Sequence, residues 1–102
     1  MRIIKPSSLS AWAKAHSGTD PALLHWLEVA SRAKWHSLTE VRRDFPHADQ
    51  VRVGSLKPVT IFNLAGNNFR LITAIHYNAG RVYPLDFMTH AQYSEGSRKR
   101  TL

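Results

Sequence analysis

Arg70 and His90 are the two residues of this chain whose types and spacing most directly suggest chemistry. They lie on either side of Asn78-Ala79-Gly80, a loop with a glycine available for the left-handed position of a hairpin. The flanking segments, Phe69 to Tyr77 and Arg81 to Thr89, are rich in β-branched and aromatic residues. This pattern predicts two antiparallel strands that carry the arginine and the histidine at the end away from the loop.

The register of this hairpin decides whether the two side chains meet. If Tyr77 pairs with Arg81 across the loop, Arg70 faces Met88, and His90 lies one step beyond on the same face. Arg70 and His90 are then diagonal neighbours, about 7–8 Å apart at the backbone, which long side chains can bridge. The sequence therefore predicts that a guanidinium and an imidazole converge at one end of the sheet.

Pro84 leaves an alternative open, because a proline within a strand indicates an edge position or a bulge. A bulge at this residue would shift the register by one and place the arginine and the histidine on opposite faces.

An arginine and a histidine at one end of a sheet fit metal-free cleavage of RNA. That reaction removes a proton from the 2′-hydroxyl, stabilises a pentacoordinate phosphate and protonates the 5′-oxygen that leaves. Histidine can act as the acid or the base, and arginine can hold a phosphate through two parallel hydrogen bonds. Asn63 and Asn67 can orient a phosphate or a base, and Tyr93 can stack on a base or pass a proton. Each residue also has an ordinary explanation as a surface, salt-bridge or turn residue.

The secondary structure that must position these residues is predicted to consist mainly of helices up to residue 44 and of strands after it. The capping and periodicity signals predict helices over residues 9–16, 21–35 and 38–44, the second with Pro21 in its first position. The third opens on Ser37 and Glu40, which have the spacing of a capping box. Strands follow over residues 51–53 and 58–63, then a turn in which Gly66 and Asn67 tolerate positive φ. A short first strand over residues 2–5 and a final turn that Thr89 caps and that runs to Tyr93 complete the prediction. This order predicts an α+β fold with helices packed on one face of a small antiparallel sheet.

Composition narrows the function classes. The 102 residues predict a single domain, 1–102, with a frayed basic tail from about residue 95. The 14 lysines and arginines against 7 acidic residues give a net charge of +7, which favours a polyanionic partner, with nucleic acid ahead of a membrane surface. The absence of cysteine excludes disulfides and thiolate chemistry, and the six histidines lack metal-ligand spacing. We expect no metal, no cofactor, no membrane span and a cytoplasmic location.

Two motifs carry a family resemblance. The segments from Phe62 to Arg70 (FNLAGNNFR) and from Met88 to Tyr93 (MTHAQY) resemble the HigB toxin family of RelE-like toxins in toxin–antitoxin systems. The similarity runs from about Ala30 to Tyr93. The resemblance implies a RelE-like fold and an endoribonuclease that cleaves mRNA in the ribosomal A site. It also implies inhibition by a HigA-like antitoxin and binding of operator DNA by the toxin–antitoxin complex only.

The resemblance also assigns roles by position. It makes Arg70, His90 and Tyr93 the candidate catalytic residues. Among the candidate RNA-binding residues, Asn63 and Asn67 match the family by position, and Lys57 matches more loosely because it lies in a variable stretch. Arg81 is a further candidate RNA-binding residue that the motif does not assign. The sequence departs from the family over residues 83–87, where relatives often carry a basic residue and this chain has Tyr-Pro-Leu-Asp-Phe.

Two functions of other classes remain open from the sequence. The helices over residues 21–35 and 38–44 could form a helix-turn-helix that reads DNA without catalysis. Alternatively, the chain could bind the ribosome and block translation without cutting RNA. A neighbouring gene for a small helix-turn-helix protein, and mapping of mRNA ends, would discriminate among these readings.

Overall fold

A five-stranded sheet organises the part of the chain that the computed structural model describes, residues 1–52 and 58–95. The strands are β1 (Arg2–Ile3), β2 (Asp49–Arg52), β3 (Pro58–Leu64), β4 (Phe69–His76) and β5 (Arg81–Thr89). The helices are α1 (Ser7–Ala15), α2 (Asp20–Arg32), α3 (Leu38–Asp44) and α4 (His90–Ser94). Lys57, and the predicted frayed tail beyond Glu95, lie outside the described residues. None of the described helices has the length and apolar character that crossing a membrane requires.

The strand order is β1-β5-β4-β3-β2, and β2 to β5 form the predicted antiparallel meander. The prediction of a purely antiparallel sheet is wrong in one strand, because β1 pairs parallel with β5. Parallel neighbours need a long connection in the chain, and here α1 to α3 and β2 to β4 form the connection from β1 to β5. A two-residue strand has no hydropathy pattern from which its direction could be predicted.

The first three helices, α1 to α3, pack on one face of this sheet, so the predicted α+β fold is confirmed. On α2, Leu23, Trp26 and Ala30 are fully or almost fully buried at helical spacing. At the centre of the core, Phe62 on β3 is completely buried. Its ring lies 5.1 to 6.1 Å, centroid to centroid, from the rings of three aromatic side chains: Trp26, Trp35 and Phe45.

Capping chemistry explains the start of α3 but not the starts of α1 and α2, which have no side-chain cap. α3 begins at the predicted cap, with the Ser37 hydroxyl accepting from the Glu40 N–H at 3.4 Å. The predicted capping box is not completed, because the Glu40 side chain accepts from the His36 N–H at 2.7 Å instead. α2 ends at Arg32, short of the predicted residue 35, because Ala33 adopts an extended backbone conformation. This change of direction lets Trp35 turn into the core, where its indole N–H donates to the Asp44 carboxylate at 2.8 Å.

The loop end of the β4–β5 hairpin differs from the predicted register. His76 pairs with Arg81, so the predicted pairing of Tyr77 with Arg81 is wrong. Tyr77–Ala79 instead form a 3₁₀ turn that closes on Gly80, whose φ of +66° is the predicted left-handed conformation.

A bulge further along the hairpin restores the predicted register. Ile72 pairs with Asp86 while Thr73 pairs with Pro84, which leaves Leu85 without a partner. The extra residue in β5 compensates for the longer loop, and Arg70 faces Met88 as predicted. Pro84 therefore does mark a bulge, and the shift that it introduces brings Arg70 into register rather than out of it.

The aromatic core generates a stability prediction. We expect Phe62→Ala to lower the free energy of unfolding by about 3–5 kcal/mol, because it opens a cavity among three rings. Urea unfolding followed by tryptophan fluorescence measures the change. Leu24→Ala is the matched control, because Leu24 is 57% exposed and its loss should cost less than about 0.5 kcal/mol. Equal effects of the two substitutions would contradict the described packing.

Candidate active site

Arg70 and His90 are in direct contact. The Arg70 Nη2 atom on β4 lies 2.5 Å from the His90 Nδ1 atom. His90 is the first residue of α4, and its N–H donates to the Asn68 carbonyl at 2.8 Å, which extends the β4–β5 ladder by one bond. The convergence predicted from strand alternation is therefore present in the fold, although His90 belongs to a helix rather than to the strand.

The Arg70 side chain is held on several sides. It is only 7% exposed, and its Nη1 atom donates to the carbonyls of Asn67 at 2.9 Å and Phe69 at 3.1 Å. Its Cζ atom lies 6.0 Å from the centre of the Tyr93 ring, at the limit of a cation–π contact. Counting only partners within residues 1–52 and 58–95, three guanidinium N–H groups are engaged, out of about five that an arginine carries. The Nε–H and the second Nη2 proton are of the right type to hold a phosphate.

The contact between the two side chains fixes the tautomer of His90. A guanidinium has donors and no acceptor, so the His90 Nδ1 atom must accept from Arg70. The neutral imidazole then carries its proton on Nε2. Because His90 is exposed, this Nε2–H is the ring group that a substrate can meet.

The turn before β4 supplies the carbonyl that Arg70 binds. Ala65, Gly66 and Asn67 have φ values of +53°, +64° and +73°, so three successive residues adopt the left-handed conformation. The sequence predicts this for Gly66 and Asn67 but not for Ala65, in which the conformation costs roughly 1–3 kcal/mol. The Asn67 carbonyl accepts from Arg70, and its side chain is exposed beside the site.

A capping box positions α4. The Thr89 hydroxyl accepts from the Gln92 N–H at 3.1 Å, and the Gln92 side chain accepts from the Thr89 N–H at 3.0 Å. The predicted cap at Thr89 is thus confirmed. It directs Tyr93 onto the sheet face that α1 to α3 leave open, where Tyr93 packs against a small apolar cluster, Val59, Ile61, Ile72 and Met88.

The structure brings together most of the residues that the sequence singles out. Asn63 is the register partner of Arg70 on β3, is half-buried, and lies on the same face. Asn63, Asn67, Arg70, His90 and Tyr93 therefore surround one end of the sheet. Arg81 does not join them, because it begins β5 about 26 Å away along the strand. The roles of all these residues stay predictions.

The sequence did not predict that backbone carbonyls orient Arg70 or that the Gln92 side chain helps to cap α4. The carbonyls of Asn67 and Phe69 orient Arg70, and no side-chain pattern announces a backbone acceptor. Gln92 was also missed, although the Thr-x-x-Gln spacing from Thr89 is a capping-box signal that could have identified it. Among the described residues, no group of three or more histidine, aspartate or glutamate side chains could hold a metal ion.

The fold and the two motifs together define a RelE-like toxin. A family model described as HigB toxin, the RelE-like toxic component of a toxin–antitoxin system, matches residues 19–96. This match covers more than half of the chain, so the chain belongs to the HigB toxin family. A search of curated proteins finds no match to it. The family also implies an antitoxin as the protein's partner.

The cap of α4 generates a prediction about the site. We expect Thr89→Val to cost about 1 kcal/mol of stability and to loosen α4, because the Gln92 N–H loses its acceptor. Hydrogen exchange at the Gln92 and Tyr93 amides measures the loosening, which should accelerate while exchange in β3 stays unchanged.

Thr39→Val is the matched control, because Thr39 lies in the first turn of α3, where the cap is Ser37. Unchanged exchange in α4 of the Thr89→Val protein would show that the capping box does not position His90.

Proposed function

We propose that this protein is a metal-independent endoribonuclease that cleaves mRNA on the ribosome and thereby inhibits translation. The observation that carries the proposal is the contact between Arg70 and His90 at an exposed end of the sheet. The two groups supply a positive charge for the phosphate and a ring that exchanges protons, next to each other. Membership of the HigB toxin family supports the toxic role.

The proposed reaction is an internal transfer. The 2′-oxygen forms a bond to the adjacent phosphorus while the bond from phosphorus to the 5′-oxygen breaks. The products are a 2′,3′-cyclic phosphate and a 5′-hydroxyl, with one proton lost from the 2′-oxygen and one gained by the 5′-oxygen. Arg70 offsets the charge that develops on the phosphate through Nε–H and Nη2, the donors that do not bind the Asn67 and Phe69 carbonyls.

His90 is the proton-transfer group in this scheme. While Arg70 donates to Nδ1, the ring presents Nε2–H as a hydrogen-bond donor. A phosphate that competes for the guanidinium frees Nδ1, so the ring can then take up and release a proton. Binding of the substrate and activation of the histidine are thereby linked.

The surrounding residues position the RNA. Tyr93 offers a ring beside the guanidinium on which a base can stack, and Asn63 and Asn67 offer amides near the same point. Lys57 and Arg81 are further candidates for RNA contact outside this cluster.

The proposed partners follow from the family. We propose that a HigA-like antitoxin neutralises the protein, and that operator DNA is bound by the complex of the two and not by this chain alone. The site of action is the A site of the small ribosomal subunit, which requires a cytoplasmic location.

A DNA-reading helix-turn-helix is less favoured, because on α3 the Arg42 Nε atom donates to the Ala48 carbonyl at 2.9 Å and is not directed at a DNA groove by that contact. A test of operator DNA binding by the isolated chain decides this alternative. The remaining alternative, a ribosome-binding protein that stalls translation without cutting, is decided by experiment.

Induction of the chain alone, followed by mapping of mRNA ends, tests the proposal. We expect new ends in translated mRNA only, together with growth arrest. His90→Ala and Arg70→Lys should lower the cleavage rate by about 10²–10⁴-fold, because each removes a group that acts on the reacting phosphate.

His47→Ala is the control for the histidine, because His47 is exposed and lies on the loop after α3. Arg43→Lys, on the surface of α3, is the control for the arginine. Full toxicity of both site variants, with folding intact by circular dichroism, would remove the proposed site. Stalled ribosomes on intact mRNA would replace cleavage with a translation block.

A further inference from the structure

The hairpin end of the sheet carries a second concentration of positive charge. Arg2 on β1 and Arg81 on β5 are register partners, and both are exposed. Like charges directly opposite each other on neighbouring strands are destabilising. Within residues 1–52 and 58–95 neither arginine forms a salt bridge, so no carboxylate offsets this repulsion. An external polyanion would offset it.

Two aromatic rings lie beside these arginines. The His76 and Tyr83 rings are 5.0 Å apart, centroid to centroid, at an angle of 60°. His76 is the register partner of Arg81, and Tyr83 lies two residues further along β5, so all three occupy one face. Because of the bulge at Leu85, this is the same face that carries Arg70.

A cleft adjoins the paired arginines at this end. It has a volume of about 670 Å³ and runs between the end of α2, β1 and the hairpin loop. Its basic lining side chains are Arg2, Arg32, Lys34 and His36, and none of the described residues that line it is acidic. The positive charge therefore continues from the sheet face around the edge of the molecule.

We propose that this surface, formed by Arg2, His76, Arg81 and Tyr83, is a subsite for a single-stranded RNA nucleotide remote from the cleaved phosphate. A base stacks against Tyr83 beside His76, and the flanking phosphates lie on Arg2 and Arg81. Cations that follow the backbone, alternating with rings that stack on bases, are the chemistry of single-strand binding. The inference rests on the proposed function, because it assigns the occupant as the same RNA. The subsite lies about 26 Å from His90 along β5.

Binding of an uncleavable RNA tests the subsite without any need for catalysis. The probe is a fluorescent single-stranded RNA of about 12 nucleotides with methylated 2′-hydroxyls, titrated by anisotropy at several salt concentrations. For Arg81→Gln and for Arg2→Gln we expect the slope of the logarithm of the association constant against the logarithm of the salt concentration to become less negative by about 0.7 each. Tyr83→Leu should weaken binding about tenfold, and Tyr83→Phe should bind as the unchanged protein does.

Arg43→Gln is the matched control, since it removes one positive charge from α3 and leaves the subsite intact. The subsite is overturned if Arg81→Gln behaves as Arg43→Gln does, or if Tyr83→Leu binds like Tyr83→Phe. Preference for duplex over single-stranded RNA also overturns it.

If mRNA cleavage depends on His90 while these variants bind normally, the subsite fails and the proposed function stands. If the variants bind as expected while no cleavage occurs, the subsite stands and the proposed nuclease function fails.

Discussion

The register between β4 and β5 is the constraint on which the site depends. A shift of one residue moves every side chain of a strand to the other face, so only one alignment lets Arg70 reach His90. Two departures from a regular hairpin, the longer loop and the bulge at Leu85, cancel each other before Arg70 is reached. Leu85 is 40% exposed, so the unpaired residue sits where it disturbs little of the core. Pro84, which has no N–H to pair, lies next to it.

Besides the register, the site requires that the buried Arg70 guanidinium be held by fixed partners. Removing a guanidinium from water is costly unless its donors are satisfied, and the carbonyls of Asn67 and Phe69 satisfy those of Nη1. The charge is thereby held against His90 before any substrate arrives. Pre-organised charge of this kind needs little rearrangement when a phosphate becomes more negative. The strained turn at Ala65 and the capping box of α4 both serve this arrangement, from the two sides of the hairpin end.

The sequence predicts those parts of the fold that local rules control. Strand alternation and turn residues predict the meeting of Arg70 and His90, and capping residues predict the starts of α3 and α4. The meander and the placement of helices on one face follow from the order of the elements.

Features that depend on tertiary packing could not be predicted. The parallel direction of β1 and the early end of α2 are set by contacts with distant segments. Pro84 indicated that a bulge was possible, but nothing in the sequence predicted the longer hairpin loop whose shift the bulge cancels. At the site, Tyr93 and Asn63 follow from motifs, whereas the carbonyls that hold Arg70 are invisible in a sequence of side chains.

The chemistry of the RNA ends tests the central claim most directly. Translated mRNA from cells that express the chain alone is digested to short fragments, and mass spectrometry identifies the new termini. Attack by the 2′-oxygen, assisted by Arg70 and His90, predicts 2′,3′-cyclic phosphates and 5′-hydroxyls. Fragments that carry 3′-hydroxyls and 5′-phosphates would instead show attack by water, and would contradict this account of the site.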